Sequence, residues 1–356
     1  VKSHSNVDRL SAIDAFDRMR RNGGNTLAQL TGMINISLEE LETHLGVRKF
    51  PAYVRHCEQQ FFNQLNHTMQ AVLNLPSVHS IFVSGPTASG KTTFSHRLAR
   101  LLSDAGRPTR VLSLDDYYRT GPVSFDDAGR PDYESIEMLD TDALVSDLMA
   151  LFAGQTVSLP TFDFVNRARI FEPEKVVTLH QKDLLIIEGL HGLSDQIIGH
   201  LPGREVFGVF IMPWCSFLDG RQLLGSRDLR MLRRISRDVL HRGSTALSTI
   251  DYWPMIDHTE RQFFPTYLAR ADRYINSCLS YEFCIIPPLA SSRIQESLDQ
   301  HDQGILAGSI YLTDRDGYAD LPTALQEADE LLSACERLPA ADPSVIPQES
   351  ILQEFI

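Results

Sequence analysis

Ser80-Ile81-Phe82-Val83-Ser84-Gly85-Pro86-Thr87-Ala88-Ser89-Gly90-Lys91-Thr92-Thr93 is the stretch on which the fold turns. Ile81 to Val83 are an apolar run that reads as a short buried strand. Gly85 to Thr92 fit G-x-x-x-x-G-K-[ST], and Phe94 to Leu102 carry apolar residues at helical spacing. A glycine-rich turn between a strand and a helix is the setting in which this pattern means a phosphate-binding loop. The glycines let the backbone pass close to a phosphate, and the loop amides and helix N-terminus present positive partial charge. In this reading Gly85, Pro86, Thr87, Ala88, Ser89, Gly90, Lys91, Thr92 and Thr93 hold the phosphates of a nucleoside triphosphate. Lys91 reaches the outer phosphates, and the Thr92 hydroxyl ligates Mg²⁺.

Downstream, short apolar runs alternate with helical patterns, which predicts an α/β fold with a parallel sheet flanked by helices. Residues 110–114, 184–188, 206–212 and 283–286 are the further strand candidates, five parallel strands in all. The second runs into Asp115-Asp116-Tyr117-Tyr118, and active-site groups of open α/β sheets stand at the carboxyl ends of strands. Asp115 there could take a proton from a substrate hydroxyl or help hold Mg²⁺; an ordinary acidic turn is the plainer reading. The strand 184–188 ends on Glu188, where an acid can serve a metal or merely cap a surface. Residues 121–132 read as a turn-rich mobile loop and residues 140–151 as a helix. Residues 157–164 and 176–179 read as two strands that overhang a pocket, with Arg167 and Arg169 between them.

Arg230, Arg233, Arg234 and Arg237 recur at i, i+3, i+4 and i+7, on one face of a helix. They are either a solvated basic face or a lid whose arginines close over transferring phosphates. Arginine suits the second task because its planar fork binds phosphate through two donors. The expected organisation is a helical accessory segment at 1–75, a nucleotide-binding domain at 76–288 with its lid at about 219–262, and a tail at 289–356 that packs back on it.

The net charge of −13, from 33 basic and 46 acidic residues, argues against a general nucleic-acid binder, which needs a basic surface. No apolar run is long enough to span a bilayer. Five scattered cysteines without a C-x-x-C pair read as reduced thiols of a cytoplasmic protein. The chain starts with Val rather than Met, so the native chain is expected to have begun further upstream or to have been trimmed.

GPTASGKT (85–92), SLDDYY (113–118), PDYESIEMLD (131–140), LPTFDFVNRAR (159–169), LLIIEGLHGL (184–193), LRRISRDVLHRG (232–243) and FFPTYLARADRYINS (263–277), in this order, resemble the uridine kinase and phosphoribulokinase family of P-loop kinases. IDYWPMI (250–256), ARADRYINSCLSYE (269–282) and SVIPQESILQEFI (344–356) resemble a bacterial uridine kinase-like subgroup. Its members carry an N-terminal region related to threonyl-tRNA synthetase, which residues 1–75 do not show in full. The resemblance implies transfer of the ATP γ-phosphoryl group to a small-molecule hydroxyl, first of all that of a nucleoside. A sugar phosphate or related acceptor, or a nucleotide-binding regulator without turnover, are the alternatives. It implies Asp115 as base, Asp132 on sugar hydroxyls, Thr92 and Glu188 at Mg²⁺, Arg234 near substrate and phosphates, and Asp272 near the nucleotide base. Pyrimidine nucleoside kinases of the family have Tyr where Phe162 stands, His at Arg167, Arg at Ser244 and Gln at Tyr252. The acceptor-reading positions Phe162, Arg167, Arg169 and Tyr252 are therefore where this chain departs from the pattern. Assembly into a homo-oligomer is left open.

Overall fold

β2 (Val78–Ser84) is the middle strand of a five-stranded, all-parallel sheet. In the computed structural model, which describes residues 31–119, 123–163, 168–201, 205–312 and 317–356, the strand order is β10, β7, β2, β6, β3. β3 is Thr109–Ser113, β6 Leu184–Glu188, β7 Glu205–Met212 and β10 Arg273–Asn276. The chain leaves β2 to one side and later crosses to the other, which opens a crevice at the carboxyl end of β2. Pairing in register brings separate segments of sequence to that edge. Val83 lies opposite Glu188, and Ser113 lies opposite Glu188 from the other side. Every residue of β6 is buried, which is why Leu184 to Ile187 read as an unbroken apolar run.

The edge strand departs from expectation. It is β10, not residues 283–286; Ser280–Cys284 form a 3₁₀ turn that feeds α7 (Ile286–Asp302). A short apolar run that is buried on all sides reads alike as a strand or a helix start, and only the core around it decides.

The N-terminal part is built into the domain. β1 (Ile34–Ser37) pairs in parallel with β8 (Cys215–Asp219), which pairs antiparallel with β9 (Arg221–Gly225). Between β1 and β2 come the short α1 (Leu38–Thr43) and the 25-residue α2 (Lys49–Leu73). α2 lays Tyr53, Val54, Cys57, Phe61, Leu65 and Val72 against α3 (Lys91–Asp104) and the sheet, with the Phe61 and Phe94 rings meeting edge to face at 6.4 Å. Gln64 covers the free edge of β10: its amide donates to Asn276 O and its carbonyl accepts from Asn276 N–H, each at 2.9 Å. Residues 1–30 of the expected helical segment lie outside the described residues.

β4 (Thr156–Asp163) and β5 (Ala168–Thr178) form an antiparallel hairpin, fed by α4 (Thr141–Phe152). The hairpin is tied to the end of β3 by Asp116, which accepts from the Phe162 N–H at 3.2 Å and from Lys175 Nζ at 2.6 Å.

The segment expected as a lid is part of the core. α5 (Ser226–His241) and α6 (Ala246–Arg270) bury Leu229, Met231, Leu232, Ile235, Ala246, Leu247, Ile250 and Trp253. Arg230, Arg233 and Arg234 are buried too, so the cationic stripe is not a solvated face. α7 and α8 (Leu321–Cys335) pack on the outside of this pair, and Ile351, Leu352 and Phe355 near the C-terminus are fully buried in the same core. Among the described residues no helix is long and apolar enough to cross a membrane. All five cysteines are buried free thiols.

Candidate active site

The loop after β2 takes its shape from close packing. A Cβ on Gly85 would stand 2.2 Å from Ile211 O on the neighbouring strand, so only glycine fits. Gly90, which starts α3, sits at φ +82 in the left-handed region, and Ala88 is held there as well, at φ +56. Lys91 reaches back over the loop, its Nζ donating to Pro86 O at 2.9 Å. The Ser89 hydroxyl is buried in the loop with no hydrogen-bond partner among the described residues. The first amides of a helix have no intrahelical partner, so the start of α3 adds further donors. A loop that offers amides, an ammonium and an unpartnered buried hydroxyl is suited to an anion with many oxygens.

Strand register then sets acids beside the loop. Glu188 is 3% exposed, and its Oε1 accepts from Thr92 Oγ1 at 3.2 Å and from Ser113 Oγ at 2.9 Å. Burial, and then the nearby Asp115, push its carboxyl above the ordinary range, while Lys91 and the two hydroxyls oppose that rise. Asp115 behaves differently from Asp116. Asp116 is tied to the hairpin, whereas the Asp115 side chain is open to the cleft. The protein walls around the cleft withhold bulk water and raise Asp115, with Glu134 adding to the rise; Lys91, Arg242 and Arg237 work against it. An exposed carboxylate just past the end of a strand is placed to accept a proton from a bound hydroxyl.

Four of the five arginines of α5 reach the loop. Arg230 Nε donates to Thr87 O, Arg233 to Ala88 O and Arg234 to the Thr87 hydroxyl, each at 3.1 Å, and Arg237 approaches the same hydroxyl at 3.5 Å. Their acidic partners divide them into two pairs. Arg230 is held by Glu260 and Arg233 by Glu282, in two-pronged buried pairs that make them supports of the loop backbone. Arg234 and Arg237 share Asp238, at 3.1 Å each, and face the cleft side of Thr87. Burial opposes ionisation of Asp238, but Arg234, Arg237 and Arg242 together hold its carboxyl well below the usual range. Arg234 also donates to Glu134 at 3.0 Å and lies over the rings of Tyr252 and Tyr311.

The positions expected to read an acceptor are less uniform. Asp132 is half-buried, and its Oδ1 accepts from the Thr259 hydroxyl at 3.0 Å. The Phe162 ring lies beside Tyr118, 5.8 Å between centroids, and so backs the Asp115 side of the cleft. The Arg169 guanidinium is paired with Asp140, the N-cap of α4. Tyr252 is 1% exposed; its hydroxyl donates to Pro131 O at 2.9 Å and accepts from the Tyr133 N–H at 3.2 Å. It therefore braces the segment that carries Asp132 and Glu134 and does not open on the cleft. Arg167 lies outside the described residues. Asp272 does not join the cluster: its carboxylate accepts from the Gly208 N–H at 2.8 Å, and Gly208 pairs with Phe82, below the loop.

Glu134 and His191 were missed, although both sit inside stretches quoted above. His191 is 1% exposed. Its Nε2–H donates to Glu134 O at 2.7 Å, and its Nδ1 accepts from the Tyr267 hydroxyl at 2.8 Å. Burial lowers its pKa to about 4. The unfolded chain, with an ordinary value of 6.5, therefore binds the proton first, and stability falls as pH drops from 6.5 toward 4. The loss is expected to reach about 3 kcal/mol, at about 1.4 kcal/mol per pH unit. Urea titrations across that window check it: His191→Gln is expected to flatten this part of the acid limb.

Comparison with known proteins identifies the family. The model of the Phosphoribulokinase / Uridine kinase family matches residues 80–282. A uridine kinase of Macrococcus caseolyticus is 30% identical over 185 residues, which is 51% of this chain and 80% of that protein. A uridine kinase of Staphylococcus aureus is 26% identical over 215 residues, 60% of this chain and 89% of that one. Among solved structures, a possible uridine kinase from Bacillus stearothermophilus aligns with a TM-score of 0.41 at 18% identity, covering 61% of this chain and 99% of that one. The family match takes in the loop, Asp115, Glu188 and the arginines of α5 and spans more than half of the chain, which therefore belongs to the phosphoribulokinase/uridine kinase family of kinases.

Proposed function

We propose that this kinase transfers the γ-phosphoryl group of ATP to a hydroxyl of a small molecule, with a nucleoside as the first acceptor to test. The observation that carries the reading is that Asp115 is exposed just past the end of β3, within electrostatic reach of Lys91 and Arg237, while Arg234 and Arg237 meet the loop at Thr87. Donor and acceptor halves of an in-line displacement would meet there. Residues 85–93 would hold the ATP phosphates, with Lys91 on the outer ones. Asp115 would accept the proton of the attacking hydroxyl, and Asp132 would hold a neighbouring hydroxyl of the acceptor. Arg234 and Arg237 would neutralise charge on the phosphoryl group in transit. Most of the acceleration would come from positioning and charge neutralisation, since phosphoryl transfer asks little covalent chemistry of the protein.

Thr92 and Glu188 offer the hydroxyl and carboxylate oxygens that a Mg²⁺ site uses. Among the described residues no three His, Cys, Asp or Glu side chains gather as a metal cage, so phosphate oxygens and water would complete the shell. When bound, Mg²⁺ would screen the charge of the phosphates.

A second reading is an acceptor that already carries a phosphate or carboxylate. Arg242, half-exposed at the end of α5, acts electrostatically on both Asp115 and Tyr118 and would favour such an anion. The test is ADP release with Mg²⁺ and ATP across nucleosides, sugars, sugar phosphates and hydroxy acids. At least one acceptor is expected to raise turnover well above the no-acceptor rate. A flat panel would overturn the proposal, and a response confined to charged acceptors would select the second reading.

A further inference from the structure

The C-terminal region lies beyond the family-matched segment, yet it touches the cleft machinery at three points. Ile351 packs against Gly90 at the start of α3; a Cβ placed on Gly90 would stand 3.4 Å from the Ile351 Cβ. Glu354 Oε1 accepts from Arg237 NH1 at 2.9 Å. The Tyr311 hydroxyl donates to Asp238 Oδ2 at 2.6 Å and accepts from Arg234 NH2 at 3.3 Å, and its ring stacks on Tyr252 at 4.3 Å. The segment is fastened on either side of these contacts. Arg97 and Arg100 of α3 hold Glu349, Tyr281 meets Ser350 Oγ at 3.2 Å, and Phe355 lies under the Arg233 guanidinium at 5.3 Å.

Arg237 shows the consequence most clearly. Its Nε is fixed by Asp238 and its NH1 by Glu354, which leaves the NH2 edge turned toward the Thr87 hydroxyl. A guanidinium is a rigid fork, so fixing two of its three nitrogens sets the direction of the third. Asp238 alone would leave Arg237 able to swing about Nε, because that carboxylate also serves Arg234, Arg242 and Tyr311.

We propose that Glu354 is a positioning residue for phosphoryl transfer, and that the C-terminal segment completes the nucleotide site by aiming Arg237 at the phosphates held by the loop. Tyr311 does the same for Arg234 through Asp238. The proposal rests on the ATP-dependent reaction proposed above.

A double-mutant cycle in the full chain tests it, read as Mg·ATP affinity and as separate kcat and KM. Glu354→Gln is expected to weaken Mg·ATP binding about tenfold, in line with the loss of one charge-assisted hydrogen bond. Glu354→Asp, which keeps the charge one methylene short, is expected to recover part of the loss. In an Arg237→Ala background the Glu354→Gln change is expected to have no further effect, which a merely structural role would not produce. An undiminished effect in that background overturns the proposal, as does unchanged affinity and KM in Glu354→Gln alone. Both outcomes leave the kinase reading standing if the unmodified protein binds Mg·ATP. If it does not bind, the kinase reading fails and takes this proposal with it. If Glu354→Gln does not fold, Tyr311→Phe carries the same cycle against Arg234→Lys, with the same two outcomes.

Discussion

Replacing Asp115 by Asn is expected to lower kcat by about 10²–10⁴-fold, the usual contribution of a general base, with Mg·ATP affinity changed by no more than about threefold. The asymmetry follows from where the residue stands. Asp115 follows β3 and faces the cleft, while the loop that would hold the triphosphate belongs to β2 and α3. Asparagine keeps the size and loses the ability to accept the proton. Pre-steady-state turnover and equilibrium binding on the same preparation separate the two effects. Full activity in Asp115→Asn would place the base elsewhere. The neighbouring Asp116→Asn change makes a useful contrast: it loosens Lys175 and the Phe162 amide, so its effect is expected on hairpin packing and acceptor KM.

The second large effect is on stability. Arg233→Ala is expected to cost about 3–5 kcal/mol, because it leaves Glu282 as an uncompensated buried charge. Both side chains are fully buried, and the guanidinium donates to both oxygens of Glu282 at 2.8 Å, to Ser277 O at 2.8 Å and to Ala88 O at 3.1 Å. It therefore joins α5, the turn after β10 and the left-handed Ala88 of the phosphate loop in one knot. Urea unfolding measures the cost. Removing both charges with Arg233→Met and Glu282→Leu together is expected to recover much of the loss, since an apolar pair of similar volume often replaces a buried ion pair without penalty. A cost below about 1 kcal/mol for Arg233→Ala would contradict the assignment of Arg233 as a support.

How much of this was legible in the sequence differs from element to element. The phosphate loop was legible because its glycines, lysine and threonine are local: one strand, one turn and one helix carry the whole signal. Asp115 and Glu188 were legible because each ends an apolar run, and parallel strands place such ends on a common edge. The cationic face of α5 was legible as a stripe, but its burial was not. Spacing gives the face of a helix, whereas Glu260 and Glu282, which neutralise Arg230 and Arg233, lie 30 and 49 residues away. Residues 283–286 misled because an apolar run buried on every side carries no period. β1 was missed because its four residues become a strand only by pairing with β8, far along the chain. Tyr252 was read as facing an acceptor because the resemblance aligns it with an acceptor-reading position; its contacts with Pro131 and Tyr133 are long-range and did not show in the sequence. Glu354 lies in a stretch that was legible only as a resemblance, 344–356, and its role appears only when the C-terminus meets Arg237.

The proposed reaction stands or falls on where the γ-phosphoryl group goes. ³¹P NMR of Mg·ATP turned over by the full chain, with the acceptor that most stimulates ADP release, follows that group directly. The expected result is loss of the γ resonance matched by a phosphomonoester resonance on the acceptor, abolished in Asp115→Asn. Inorganic phosphate as the sole product, or an unchanged ATP spectrum with every acceptor, would contradict it.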